Sequence, residues 1–472
     1  MATSLNVIIR LRLKSKPGTL AGVLAAIAEE EGDVGSIDLL SAASDHVVRE
    51  IMVHMPSNRK LKELAVKLEK LAGVELIHIA DRVMLKHMGG KLEVTPKRQI
   101  ENREDLALIY TPGVAKVSET LARDPELAYT LTLKGNCVAI VTDGTAVLGL
   151  GDLGPIAALP VMEGKAVLFK RFANVDAFPI CLDTKDPEQI ISTVLAIAPV
   201  FGGINLEDIA APKCFEIEET LRRKLDIPVF HDDQHGTAIV TLAGLLNALR
   251  VVDKDIRQCS IVLSGAGAAG VAITKILLKA GAENIVVCDR KGAIGPHTPP
   301  GNRAKTWLAE NTNPHAKQGS LKEVLGGADV FIGVSGPDLL NREDIMQMNG
   351  SPIVFALANP EPEIAPEDIY DIVGVVATGR SDYPNQINNV LAFPGIFRGA
   401  LDCHASCINE DMYLAAAYAL AGIIPPEQLG PENIIPSVFS GKVAKVVARA
   451  VTAAAEQTGV ARKFTPYHDA LI

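Results

Sequence analysis

The sequence predicts a layered α/β protein built in three parts, and three observations carry that prediction. Residues 258–379 alternate short apolar runs with helix-compatible segments, the punctuation of a doubly wound parallel sheet. A glycine-rich GAGAAG turn joins the first of those runs to the first helix. Residues 5–83 follow a different order, β-α-β-β-α-β, which makes a small αβ sandwich of its own. Composition agrees: 472 residues exceed one ordinary core, and 48% hydrophobic with only 4% aromatic content leaves Ala, Val, Ile and Leu to do the packing.

Taken in order, VIIRLRL alternates apolar and polar side chains as a half-buried strand does, within a strand at 5–14. A helix from Gly18 to Gly32 follows, opened by Pro17 and Gly18, then strands SIDLLSA and HVVREIMVHM, helix NRKLKELAVKLEKL and strand VELIHIA. The order is that of a ferredoxin-like α+β domain. HMGGKLEVTPKRQI, at 87–100, reads as a linker, so the expected domains are 1–86, 87–230 and 231–472. In the middle part VLAIAPVFGGI and DIPVF read as strands, each running into a pair of acids. In the last part CSIVLSG, NIVVCD, DVFIGVSG, PIVFALAN and VGVVATG read as strands, so that Gly265, Asp289, Gly336, Asn359 and Gly379 fall at strand ends, where open parallel sheets place ligands.

Charge and cysteine usage exclude several classes. A net charge of −10 without a basic block opposes a nucleic-acid partner. No apolar run reaches membrane-spanning length. Seven scattered cysteines read as free thiols in a reducing compartment, hence a cytoplasmic protein; Cys403 and Cys407 lack the second ligand pair a zinc site needs.

GxGxxG occurs twice, as GLGDLG (149–154) and GAGAAG (265–270). Pro155 and Pro160 are expected to interrupt any helix after the first, making it a tight substrate-side turn. After the second the chain runs helically without proline to Asp289, nineteen residues beyond Gly270, at the spacing of the acid that holds an adenosine ribose. Gly265, Ala266, Gly267, Ala268, Ala269, Gly270 and Asp289 are therefore the expected dinucleotide site. Asp289 favours NAD; Arg290 and Lys291 leave NADP possible. Glu207 and Asp208, in NLEDI, and Asp232 and Asp233, in HDDQH, follow two strand-like segments, and four converging carboxylates call for a hard divalent cation, Mg²⁺ or Mn²⁺. Two alternatives stand beside this. His231 and His235 have the i, i+4 spacing of a zinc pair, and the acids could instead cap the following helix and pair with Arg222, Arg223 or Lys224.

The first turn, KSKPGTLAGV, resembles the ACT domain, which implies a regulatory module for an amino acid or similar metabolite. IYTPGVA, TDGTAVLGLGDLG, EGKAVLF, NLEDI, HDDQHGTA, GAGAAG and NNVLAFPG occur in the order and at the approximate spacing found in malic enzymes; over residues 90–470 the chain resembles their short bacterial type. The resemblance implies oxidative decarboxylation of L-malate to pyruvate and CO₂ with NAD(P), in a homodimer or homotetramer. It places metal ligands on Glu207, Asp208 and Asp233, acid and base on Tyr110 and Lys165, lysine orientation on Asp232, and substrate and nicotinamide contacts on Asn359 and Asn389. Lys165 then needs a pKa lowered by burial and by the cation to act as a base near pH 7. The larger enzymes carry an arginine where this chain has Ala146, so another cation must hold a malate carboxylate. A dehydrogenase for another 2-hydroxy dicarboxylic acid and a non-catalytic metabolite sensor are the competing readings, with oxaloacetate decarboxylation a possible side activity.

Overall fold

The computed structural model describes residues 5–299 and 301–462. The chain divides into two compact units, Met1–Glu93 and Val94–Ile472.

In the first unit, β1 (Leu5–Lys14), β2 (Asp33–Ala42), β3 (His46–Met55) and β4 (Val74–Asp81) form an antiparallel sheet in the order β2-β3-β1-β4. Alternation along β1 decides its faces: Val7, Ile9, Leu11 and Leu13 are buried, while Arg10 and Arg12 point outward to Glu50 and Glu75. Helices Thr19–Glu29 and Asn58–Lys70 complete that core with Val23, Ile27, Leu64 and Leu68.

The second unit holds two sheets. The first, in the order β6-β5-β7-β8, is parallel: β5 (Cys137–Thr142), β6 (Asp176–Cys181), β7 (Gly203–Leu206) and β8 (Val229–His231). Strands β5 and β7 are buried along their whole length, and apart from Thr142 and Asn205 they are apolar. Two expectations fail here. A helix does follow GLGDLG, Pro155–Ala173: Pro155 occupies the first helical position, where no amide donor is needed, and burial of Ala158, Met162, Ala166 and Phe169 holds the helix together across Pro160. VLAIAPVFGGI is mostly not strand. Its first residues end helix Pro187–Ile197 and only Gly203 onward joins the sheet, because an apolar run buried in a helix cannot be told from a strand by periodicity alone.

The other sheet runs β11-β10-β9-β12-β13-β14, with β9 (Ser260–Ser264), β10 (Asn284–Asp289), β12 (Val330–Gly333), β13 (Ile353–Ala356) and β14 (Val375–Thr378) parallel and the short β11 (Gly292–Ala293) antiparallel to β10. The connections leave β9 in opposite directions, toward β10 and toward β12, so a crevice opens between the carboxyl ends of β9 and β12. Helix Thr237–Val251 lies almost entirely within the core that joins the two sheets.

Helices Arg103–Ile109 and Gly113–Arg123, in contrast, bury none of their residues. Leu106, Leu108, Ile109, Tyr110 and Val114 are all exposed there. No helix among the described residues is long and apolar enough to cross a membrane.

Candidate active site

The acids arrive from two neighbouring strand ends of the first parallel sheet. Glu207 and Asp208 follow β7, Asp208 at a positive φ of 52°, and Asp232 and Asp233 follow β8 in a single π-helical turn, Asp232–Gly236. Such turns cluster at functional sites because the extra residue re-aims side chains. Gly236 is required: a Cβ there would lie 1.9 Å from Asp232 Oδ1.

Lys165 projects from helix Pro155–Ala173 into this acid cluster and is only 6% exposed. Its Nζ donates to Glu207 Oε2 and Asp232 Oδ2, and lies 4.4 Å from the centre of the Phe393 ring. Asn389 Nδ2 donates to Asp232 Oδ2 at 2.9 Å, and Asn205 Nδ2 to Glu207 Oε2 at 3.0 Å. Asp208 N–H donates to Asp233 Oδ2 at 2.9 Å. Oxygens of Glu207, Asp208 and Asp233 lie within 4.8 Å of one another. Asp232 is not one of those three and, together with Glu207, accepts from the lysine.

Four buried or half-buried carboxylates face one ammonium, and the energetics show it. Burial, then the other acids, pushes the Glu207 carboxyl well above its ordinary range and the Asp208 carboxyl up to about 7, with Lys165 opposing. For Lys165, burial acts in the expected direction and the neighbouring acids act against it. Burial does press its pKa down, but Asp232, Glu207 and Asp233 outweigh it and hold the ammonium above the usual lysine value. Buried Asp208 Oδ2 and Asp232 Oδ1 have no hydrogen-bond partner. An all-oxygen donor set with an orphaned buried oxygen fits a hard divalent cation held by Glu207, Asp208 and Asp233. It does not fit zinc: His235 Nε2 bonds Glu218 Oε1 at 2.7 Å, His231 is fully buried, and among the described residues no histidine or cysteine joins a metal-competent group. Nor do the acids pair with the basic helix end, since Arg222 bonds the Ile408 carbonyl and lies 4.0 Å from Glu218.

The two glycine turns flank this cluster differently. GLGDLG folds back so that Leu153 and Gly154 donate to the Gly144 carbonyl, and a Cβ on Gly149 would meet the Asn359 carbonyl at 2.4 Å. GAGAAG lies at the crevice itself. Gly265 has φ +118° against Val334, and a Cβ on Gly270 would lie 1.8 Å from the Gly265 carbonyl, so helix Ala268–Lys279 can begin against the strand end with its first amides facing the crevice, an arrangement suited to an anion. Asp289 accepts from the Lys291 amide and from Lys305 Nζ, which holds its carboxyl below the usual range against burial. Asn359, exposed, lies three residues beyond the end of β13, in the loop that follows it.

Tyr110 is not brought to the cluster. It caps helix Arg103–Ile109, is 67% exposed, and is not among the groups bonded to Lys165, Asp232 or Glu207. Sequence reasoning missed two buried acids beside the site. Asp143 accepts from Lys213 Nζ and Thr145, three residues before Ala146, and Glu218 bonds both Gln234 and His235. Asp143 was detectable as an acid directly after the uninterrupted apolar strand CVAIVT.

Comparison with known proteins identifies the family. The chain matches the malic enzyme N-terminal domain over residues 89–189 and the malic enzyme NAD binding domain over 234–456. It is 56% identical to an NAD-dependent malic enzyme of Geobacillus stearothermophilus over 98% of this chain and 96% of that protein. It is equally identical to a bifunctional malic/malolactic enzyme of Bacillus subtilis, over 79% of this chain and 92% of that one. The crystal structure of an NAD-dependent malic enzyme from Thermotoga maritima superimposes with a TM-score of 0.77 at 49% identity, covering 79% of this chain and 99% of the other. Two family domains matched in order, and a relative matched over nearly its full length, place this chain in the malic enzyme family.

Proposed function

We propose that the protein oxidatively decarboxylates L-malate to pyruvate and CO₂, reducing NAD. The single observation that carries this reading is the contact of buried Lys165 with Asp232 and Glu207, beside the Glu207, Asp208 and Asp233 oxygens. A non-catalytic sensor has no use for a proton-transfer group buried at such cost. Bound at those three acids, Mg²⁺ or Mn²⁺ supplies Lewis-acid polarisation of a substrate oxygen. Lys165 Nζ would take the C2 hydroxyl proton, and NAD held at the GAGAAG turn would supply the hydride acceptor for C2. Glu207 cannot serve both as ligand and as full counter-charge to the lysine; once it is a ligand, Lys165 is left mainly with Asp232 and moves toward the neutral form that accepts a proton. Asn389 fixes Asp232, and Asp232 fixes Lys165.

Asp289 supports NAD. Its partner Lys305, with Arg290 and Lys291 beside it, supplies the positive charge that lets NADP compete.

Assembly is part of the same reading. Tyr110 is the proton donor to C3 but lies exposed between two helices that bury nothing. A homodimer or homotetramer in which a second copy covers this face brings Tyr110 to the partner's Lys165 and offers cations to the malate carboxylate left unserved at Ala146. The division into domains 1–86, 87–230 and 231–472 is proposed with it. The first is read as an ACT-like regulatory domain for an amino acid or related metabolite, supported by the β2-β3-β1-β4 topology and by Gly18, at φ +90°, opening the first helix. Seven free cysteines support a cytoplasmic location.

Steady-state rates with L-malate, comparing NAD with NADP and Mn²⁺ with chelator, test the proposal. Pyruvate and NADH should form together, faster with NAD, and stop on chelation. NADH formation that is faster with another 2-hydroxy dicarboxylic acid would reassign the substrate.

A further inference from the structure

Glu363 has no part in the chemistry above, yet it is a fully buried carboxylate at the cofactor crevice. Its Oε1 accepts the Ser335 amide at 2.9 Å and its Oε2 the Ala358 amide at 3.1 Å. Ser335 lies in the loop after β12, while Ala358, Asn359 and Glu363 itself lie in the loop after β13. The Ser335 hydroxyl in turn meets the Ser264 hydroxyl at 2.8 Å, and Ser264 is the last residue of β9, directly before the Gly265 turn. The Glu363 backbone joins in as well, its carbonyl accepting the amides of Leu339 and Leu340. Space is reserved for the side chain: a Cβ on Gly333 would lie 2.3 Å from the Glu363 carboxyl carbon. Among the described residues no lysine, arginine or histidine forms an ion pair with it.

A buried carboxylate without a cationic partner is costly, and a packed apolar residue would be the cheaper choice for stability alone. What it provides is two acceptor oxygens on one rigid group, each taking an amide from a different strand end. We propose that Glu363 is a positioning residue for the cofactor: it ties the loops after β12 and β13 to each other, and through Ser335 to the turn after β9, and so fixes the walls between which the dinucleotide lies. Burial raises its pKa, opposed by the same backbone amides. Glutamine cannot replace it. One end of the amide is itself a donor, so either Ser335 or Ala358 would face an N–H instead of an acceptor.

The inference rests on the dinucleotide occupying this crevice, and its test separates the two. NADH binding is followed by the enhanced emission of bound NADH, in Glu363→Gln, in Ser264→Ala and in the unaltered protein, with a thermal melt and Mn²⁺ affinity measured on each. If the unaltered protein does not bind NADH, the cofactor reading fails, and the clamp with it. If it does, Glu363→Gln should weaken NADH and raise the KM for NAD by about tenfold, the loss of one hydrogen bond to a buried charged acceptor. Mn²⁺ affinity should not change, and the amides of Ser335 and Ala358 should exchange hydrogen faster. Equal NADH affinity in Glu363→Gln, or a lowered melt with unchanged KM, overturns the proposal. Should Glu363→Gln fail to fold, Ser264→Ala decides: about threefold weaker NADH supports the network, and unchanged affinity overturns it.

Discussion

Lys165 is held by opposing forces, and its environment sets what substitution there should do. Burial disfavours its charge, whereas Asp232, Glu207 and Asp233 favour it more strongly. Truncation removes the proton-transfer atom without touching the glycine turn, so Lys165→Ala should lower kcat by roughly 10²–10⁴-fold, the usual range for a general acid–base group, while NADH still binds. Stopped-flow turnover and NADH titration on one preparation check this, and unimpaired turnover would remove the role assigned here. Most of these residues were legible in the sequence because acids and lysine sit in short, recognisable words. The pKa of Lys165 was not. Its sign depends on three carboxylates contributed by two strand ends distant in sequence, and no local pattern counts them.

At the scale of elements, the π-helical turn Asp232–Gly236 is braced from behind by helix Lys213–Lys224. Glu218 on that helix bonds Gln234 at 3.0 Å and His235 at 2.7 Å, and His235 stacks on Tyr413 with ring centres 4.6 Å apart. Burial alone would raise the Glu218 pKa, but His235, then His231 and Arg222, outweigh it and hold it at about 2, below its ordinary 4.5. The folded state therefore binds fewer protons than the unfolded chain between those values. The stabilisation is fully present above pH 4.5 and is lost as pH falls through about 2, on the order of 3 kcal/mol in total. Melting temperature should fall more steeply over that window in the unaltered protein than in Glu218→Gln, which starts lower at neutral pH. Equal slopes would show that Glu218 is not the group responsible. Strand ends were readable here because β8 and the cofactor strands are short apolar runs bounded by turn residues. Helix Pro155–Ala173 was not, since proline at a first helical position and proline as a breaker look alike until the buried face is seen.

For the whole molecule, the decisive feature is that Tyr110, the proposed proton donor, lies exposed on the outside of its own chain. Tyr110→Phe and Lys165→Ala should each be inactive. Mixed and allowed to exchange subunits, they should recover about a quarter of the original activity, because half of a random dimer population is hybrid and one site in each hybrid is whole. No recovery, with hybrids confirmed by native mass spectrometry, would place Tyr110 and Lys165 in one chain. By itself the sequence determined most of the elements: alternation fixes which faces of β1 are buried, glycines at 265 and 270 permit the strand and helix to meet, and the acid pairs point toward a cation. The tertiary structure alone decided that one buried ammonium, Lys165, bonds both Glu207 and Asp232, that Tyr110 lies exposed away from them, and that Glu363 joins three strand ends. The reason is physical. Local propensity acts over a turn or two, whereas charge in a low-dielectric interior is set by whatever side chains the fold brings within a few ångströms, wherever they lie in the chain.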